Sequence, residues 1–161
     1  MEIRMRRCRQ RLTEECTKEI LSKVTHGVLS LVDSEGEPYG VPISYVYDGH
    51  KCIYSHSAIQ GHKIDCIELN QRCSFCVVAQ DLIIPEEFTS YFRSVIVRGI
   101  IHIVSDPDEI IRGLSLLCDK YSPGIDATSE ISRCLSHVTV LRLDIESMTG
   151  KEAIELVGKR E

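Results

Sequence analysis

The chain has 161 residues, of which 43% are hydrophobic and 27% charged, with a formal net charge of −5 at pH 7. This length fits one domain with a sizeable core, so residues 1–161 are expected to form a single unit, with 1–11 as a flexible basic arm. The acidic balance argues against a nucleic-acid partner, and the apolar stretches are too interrupted by charge or glycine for a membrane span.

Thr13 is a good N-cap, and Glu14 and Glu15 follow in the first turn, so a helix is expected over 14–24. From Gly27 the period changes. Val28 to Val32 reads as a short strand, and Asp33-Ser34-Glu35-Gly36 as a turn. Val41, Ile43, Tyr45 and Tyr47 alternate with Gly40, Pro42, Ser44 and Val46, which predicts a strand with Pro42 at an edge. Asp48-Gly49 turns the chain into a strand over 51–56. His62 to Leu69 reads as a short helix, Cys73 to Ala79 as a strand, and Tyr91 to Val104 as a long one.

Asp106-Pro107-Asp108-Glu109 has the pattern of a helix start with a capping box, and Ser122-Pro123-Gly124 ends that helix. A further helix is expected near Ser129 to Ser136. The last strand alternates Leu141, Leu143 and Ile145 with Arg142, Asp144 and Glu146, a half-buried pattern. About six strands with hairpin turns and peripheral helices point to an α+β fold built on a mainly antiparallel barrel.

The eight cysteines are scattered, most of them inside hydrophobic runs, where a free thiol behaves as a small apolar group. No apolar signal-peptide core follows the basic start. Both features lead to the expectation of a reducing, cytoplasmic location.

The stretch His56-Ser57-Ala58-Ile59-Gln60-Gly61-His62-Lys63-Ile64-Asp65 lies where a strand hands over to a helix. Ser57 offers a hydroxyl, Gly61 allows close backbone approach, and His62 and Lys63 place cationic donors on a first helical turn with open N–H groups. A phosphate monoester finds there the donors it needs. A capped loop with two solvated cations fits the same residues.

Five segments in order then carry a resemblance over residues 6–155. They are Gly36-Glu37-Pro38-Tyr39-Gly40-Val41-Pro42, Ile53-Tyr54-Ser55-His56-Ser57-Ala58, Gly61-His62-Lys63-Ile64-Asp65, Tyr91-Phe92-Arg93-Ser94-Val95 and Met148-Thr149-Gly150-Lys151. The chain resembles the pyridoxamine 5′-phosphate oxidase-like flavoproteins, in particular their nitroimidazole-resistance (Nim-type) branch.

The resemblance implies a split β-barrel of about six strands with peripheral helices, working as a homodimer with FMN sites at the subunit interface. It implies that Pro42, Ile43, Ser44 and Tyr45 line the isoalloxazine, and that His56, Ser57 and Ala58 lie near the ring or ribityl chain. Gly61, His62 and Lys63 would take the phosphate, while Tyr91, Arg93 and Ser94 would approach from a strand of the same or the partner subunit. His56 is the catalytic candidate, with cofactor packing as its other role.

The implied function is reduction of small electron-poor compounds, with a substrate cleft walled by Tyr45 and Tyr91. A flavin- or haem-binding module without turnover is an alternative, as is an oxidase of the vitamin B6 type. The chain's last residues show no basic substrate-phosphate motif of the kind that oxidase needs. No metal site is expected. Cys73 and Cys76 lie three apart in a strand, so their sulfurs point to opposite faces, and His50 with Cys52 supplies only two ligands.

Overall fold

The structure, a computed structural model, describes residues 5–159. Thr13 caps α1 (Glu14–Lys23) by accepting from Cys16 N at 3.2 Å. The chain then forms β1 (His26–Val32), β2 (Pro38–Ser44), β3 (Val46–Tyr47) and β4 (Cys52–Ala58). Next come α2 (His62–Leu69), β5 (Arg72–Ile84), β6 (Thr89–Ile103), α3 (Pro107–Tyr121), α4 (Thr128–Cys134) and β7 (Val138–Glu152).

The sheet has seven strands in the order β2-β1-β5-β6-β7-β4-β3, and every recorded pair is antiparallel. The strand expected over 41–47 is divided at Tyr45, which adds one strand to the predicted number. That division explains the architecture. The two ends of the sheet order, β2 and β3, are consecutive in the chain with only Tyr45 between them, so the sheet curls until its edges meet. They are joined by the chain and not by a hydrogen-bonded ladder, which makes the barrel split. Pro42 lies in the terminal strand β2, opposite Val28, where its missing N–H costs no ladder bond on the open side.

The barrel interior is filled by Leu29, Leu31, Ile43, Tyr45, Phe75, Val77, Val95, Val97 and Leu141, all buried. Tyr45 is fully buried, its ring edge-on to Phe75 with centroids 4.8 Å apart, and its hydroxyl donates to Leu21 O at 2.7 Å. A second core joins α3 to β4 and β7 through Val46, Tyr54, Leu114, Leu117 and Val140. Gly99 lies at a bulge in β6, where an added Cβ would fall 2.0 Å from Asp144 O, so the bend of β6 over β7 needs glycine there.

Two expectations are corrected. The basic segment is not a free arm from Cys8 onward: a 3-10 turn spans Cys8–Gln10, Gln10 is buried, and Arg11 bridges Lys151. Its first four residues lie outside the described residues. The capping box at α3 is only half made. Asp106 accepts from Glu109 N at 2.9 Å, but the Glu109 carboxylate turns away to Arg142 and Tyr54. The alternating charged face of β7 is therefore partly covered.

Candidate functional site

The site region forms where β4 ends and α2 begins. Along β4, Ser55 is buried, His56 exposed, Ser57 half-buried and Ala58 exposed, opposite Val140, Thr139 and Val138 for the last three. Ile64, Cys66 and Ile67 bury the inner face of α2 and fix its N-terminus beside the strand end. Gly61 is the N-cap, with φ +133° and ψ 168°, a conformation essentially restricted to glycine. A Cβ there would meet nothing within 4 Å, so backbone conformation and not crowding demands the glycine.

Ile64 N and Asp65 N both donate to Gly61 O, at 2.8 and 3.1 Å. The N–H groups of His62 and Lys63 precede that ladder and point out at the positive end of the helix. Lys63 is half-buried, and burial alone pushes its ammonium pKa down. Among the described residues it has no hydrogen-bond or ion-pair partner. Exposed His62 meets Tyr39 of β2 edge-on at 4.6 Å, and its Nε2 lies 3.7 Å from Cys66 Sγ. Strands β2 and β4 approach each other across the split.

The alternation of β2 divides the four residues expected beneath a flavin ring. Pro42 and Ser44 are exposed, while Ile43 and Tyr45 are buried in the barrel. Successive strand residues face opposite ways, so only alternate ones can line an outer site. Tyr45 therefore does not wall a substrate cleft; its side chain is a core strut.

Tyr91, Arg93 and Ser94 lie on β6, far from this corner. Arg93 pairs with Glu152 and Ser94 with Lys151, whereas Ser57 pairs with Thr139, so the two groups occupy opposite ends of β7. The structure does not bring them together within one chain. The Tyr91 hydroxyl donates to Glu87 Oε2 at 2.7 Å, and Arg93 Nε is 3.3 Å from Oε2 of the fully buried Glu152. Sequence reasoning missed Glu152, because a charged residue near the end of an alternating strand gives no sign of burial. Cys73 and Cys76 lie three positions apart in β5 as free thiols, with Cys73 turned toward Gly99 O at 3.6 Å and its thiol pushed up to about 12 by burial.

The comparisons with known proteins agree with this architecture. The family described as pyridoxamine 5′-phosphate oxidase matches residues 13–152. A search of the curated proteins found no match. Among solved structures, a protein assigned to 5-nitroimidazole antibiotic resistance from Bacteroides thetaiotaomicron superposes with a TM-score of 0.74 at 21% identity, covering 88% of this chain and 86% of its own. A conserved hypothetical protein from Mycobacterium tuberculosis gives 0.81 at 17% identity, with 95% and 92% covered. An FAD and haem binding protein from Mycobacterium smegmatis gives 0.75 at 20% identity, with 91% and 74% covered.

At these identities the structural likenesses define the fold, an α+β split barrel. The match over most of the chain defines the family: this chain belongs to the pyridoxamine 5′-phosphate oxidase family. Among the described residues no helix is long and apolar enough to cross a membrane.

Proposed function

We propose that this chain is an FMN-binding homodimer that reduces small electron-poor compounds such as 5-nitroimidazoles. The observation that carries the reading is the α2 turn: a half-buried Lys63 without a partner among the described residues, beside two open N–H groups and a glycine in a glycine-only conformation. An unpaired cation held partly out of water is costly unless an anion joins it, and a flavin phosphate is an anion of the right kind. Ser57 adds a hydroxyl, while Pro42, Ser44 and His56 present an outward surface for the ring. Bound flavin supplies reversible electron transfer. The family match and the Bacteroides neighbour's assignment support this choice of cofactor and substrate class.

Dimerisation is supported by the outer sheet face. Val28 of β1 is aligned with Cys76 of β5, which is aligned with Ile96 of β6, and Val78 lies one step along. Val28, Val78 and Ile96 are 39%, 57% and 48% exposed, a contiguous apolar row that a monomer would leave in water. In an interface flavin site of the kind the resemblance implies, Tyr91, Arg93 and Ser94 would be the second copy's contribution. Val78→Asp is expected to yield monomers in sedimentation and to weaken flavin binding. A variant that remains dimeric would show that another face is used.

The direct test is the absorbance spectrum of purified protein, followed by identification of what heat releases. FMN released, reduced by a nicotinamide donor and reoxidised by a nitroimidazole, is the expected result. A flavin that stays oxidised with every donor would refute the reductase reading. The Mycobacterium smegmatis neighbour carries a second reading, a module that holds haem, which a Soret band without released flavin would establish.

A further inference from the structure

A cavity of about 790 Å³ lies away from the α2 turn. It is a groove on the outer side of β6 and β7, closed at one end by the hairpin before β4 and flanked by the start of α1. None of Pro42, Ser44, His56, Ser57, Gly61 or Lys63 lines it. Its volume is within the range of small-molecule sites, about 300–1,000 Å³.

The lining is of two kinds. Leu12, Ile96, Ile145 and Met148 give it apolar surface. Arg11, Lys51, Arg72 and Arg98 give it positive charge, in a chain whose formal net charge is −5. The two acids that line it are already engaged. Glu146 accepts two bonds from Arg72 at 2.8 and 2.9 Å, and Glu14 pairs with Lys18 at 2.6 Å. Lys51 and Arg98 are exposed, and among the described residues neither side chain has a hydrogen-bond or ion-pair partner. Two uncommitted cations thus face a groove with an apolar wall, which favours an anion carrying a flat apolar part.

We propose that this groove binds a nucleotide with at least two phosphates, its base against Ile145 and Met148 and its phosphates on Lys51 and Arg98. Arg98 is aligned with Ser147 and Ile96 with Thr149, so the groove runs along β7 from the Lys51 hairpin toward the apolar row. A nucleotide there would end beside the face that a second copy covers. The proposal goes beyond the flavin reading and stands without it.

The test is calorimetric titration of the intact protein, held in excess FMN, with ADP, adenosine and inorganic pyrophosphate. ADP is expected to bind, and adenosine to bind at least about tenfold more weakly. Lys51→Ala and Arg98→Gln should each weaken ADP by about tenfold, with FMN affinity and thermal stability unchanged. Three results would overturn the proposal: no ADP binding to wild type, ADP binding indifferent to both substitutions, or FMN affinity falling together with ADP affinity. The last would mean that the groove belongs to the flavin site. Because both side chains are exposed, the variants should fold, and Lys63→Ala serves as the control that alters FMN affinity alone.

Discussion

Two half-buried cations, Lys63 on α2 and Arg142 on β7, have opposite surroundings. Arg142 Nη1 donates to Glu109 Oε1 and Oε2 at 2.8 and 3.0 Å, and its Nε and Nη2 donate to Asp144 at 2.8 and 3.2 Å. Tyr54 adds a bond to Glu109 at 2.9 Å, and His102 Nε2 lies 3.1 Å from Asp144 Oδ2. Hydrogen bonding to Arg142 holds the Glu109 carboxyl below its usual range. Burial pushes Asp144 up, but the Arg142 and Cys52 hydrogen bonds outweigh it and leave its pKa lowered. Among the described residues Lys63 has nothing comparable. A cation whose donors are all answered by its own chain ties α3 to the barrel, and one left unanswered is suited to a ligand.

The comparison breaks if the two cations exchange roles under mutation. The largest effect is expected from Arg142→Ala. It leaves Glu109 and Asp144 partly buried without their counter-charge, at a cost of about 3 kcal/mol after allowing for their partial exposure. Urea denaturation should show that loss, while the FMN dissociation constant stays the same. Lys63→Ala should do the reverse. It removes a charge-assisted phosphate contact of about 2 kcal/mol, so the FMN dissociation constant rises more than tenfold. Stability of the unliganded protein should hold or rise slightly, because a desolvated charge is relieved. Gly61→Ala should cost about 1 kcal/mol, since alanine must enter a glycine-only region. If the turn relaxes instead, the loss transfers from the urea midpoint to flavin affinity, and measuring both separates the cases.

Much of the architecture is legible in the sequence because it is locally encoded. Thr13 and Asp106 cap their helices as expected, and Pro42 marks the terminal strand. What could not be read depends on register between distant strands. Arg142 and Asp144 have the pattern of a solvated face, yet α3 lays Glu109 over them. Tyr45 is expected as a cleft aromatic, but it continues the inward face of Ile43 and its side chain is buried in the barrel. The helix after Gly61 is local and legible, and it begins at His62 as expected. Nothing in the pattern around Tyr91, Arg93 and Ser94 shows that β7 separates them from Ser57 by its whole length. The groove of Lys51 and Arg98 left no trace in the pattern, since its walls come from segments far apart in the chain.

The smallest expected effect, on pH dependence, sharpens the comparison most. In the unliganded protein the Lys63 pKa is lowered from 10.5, so the unfolded chain holds that proton more tightly. Stability should therefore rise slightly as pH increases from the lowered value toward 10.5. A bound phosphate reverses the preference by attracting the charged form. Its contribution to flavin affinity is complete below the lowered pKa and is lost as pH rises through the pKa of the complex. On the acid side, affinity should fall below about pH 6, where the phosphate monoester takes up a proton. Lys63→Ala should erase the alkaline limb and leave the acid limb in place. Glu109 and Asp144 behave oppositely to Lys63: their pKa values are lowered, so their stabilisation is present above the unfolded values of 4.5 and 3.8. It is lost as pH falls through the folded ones. Titrating urea stability from pH 3 upward with wild type and Arg142→Ala should show the acid transition weakened in the variant alone, whereas flavin affinity follows Lys63. If both limbs of the affinity curve survive Lys63→Ala, the unanswered cation is not the phosphate's partner.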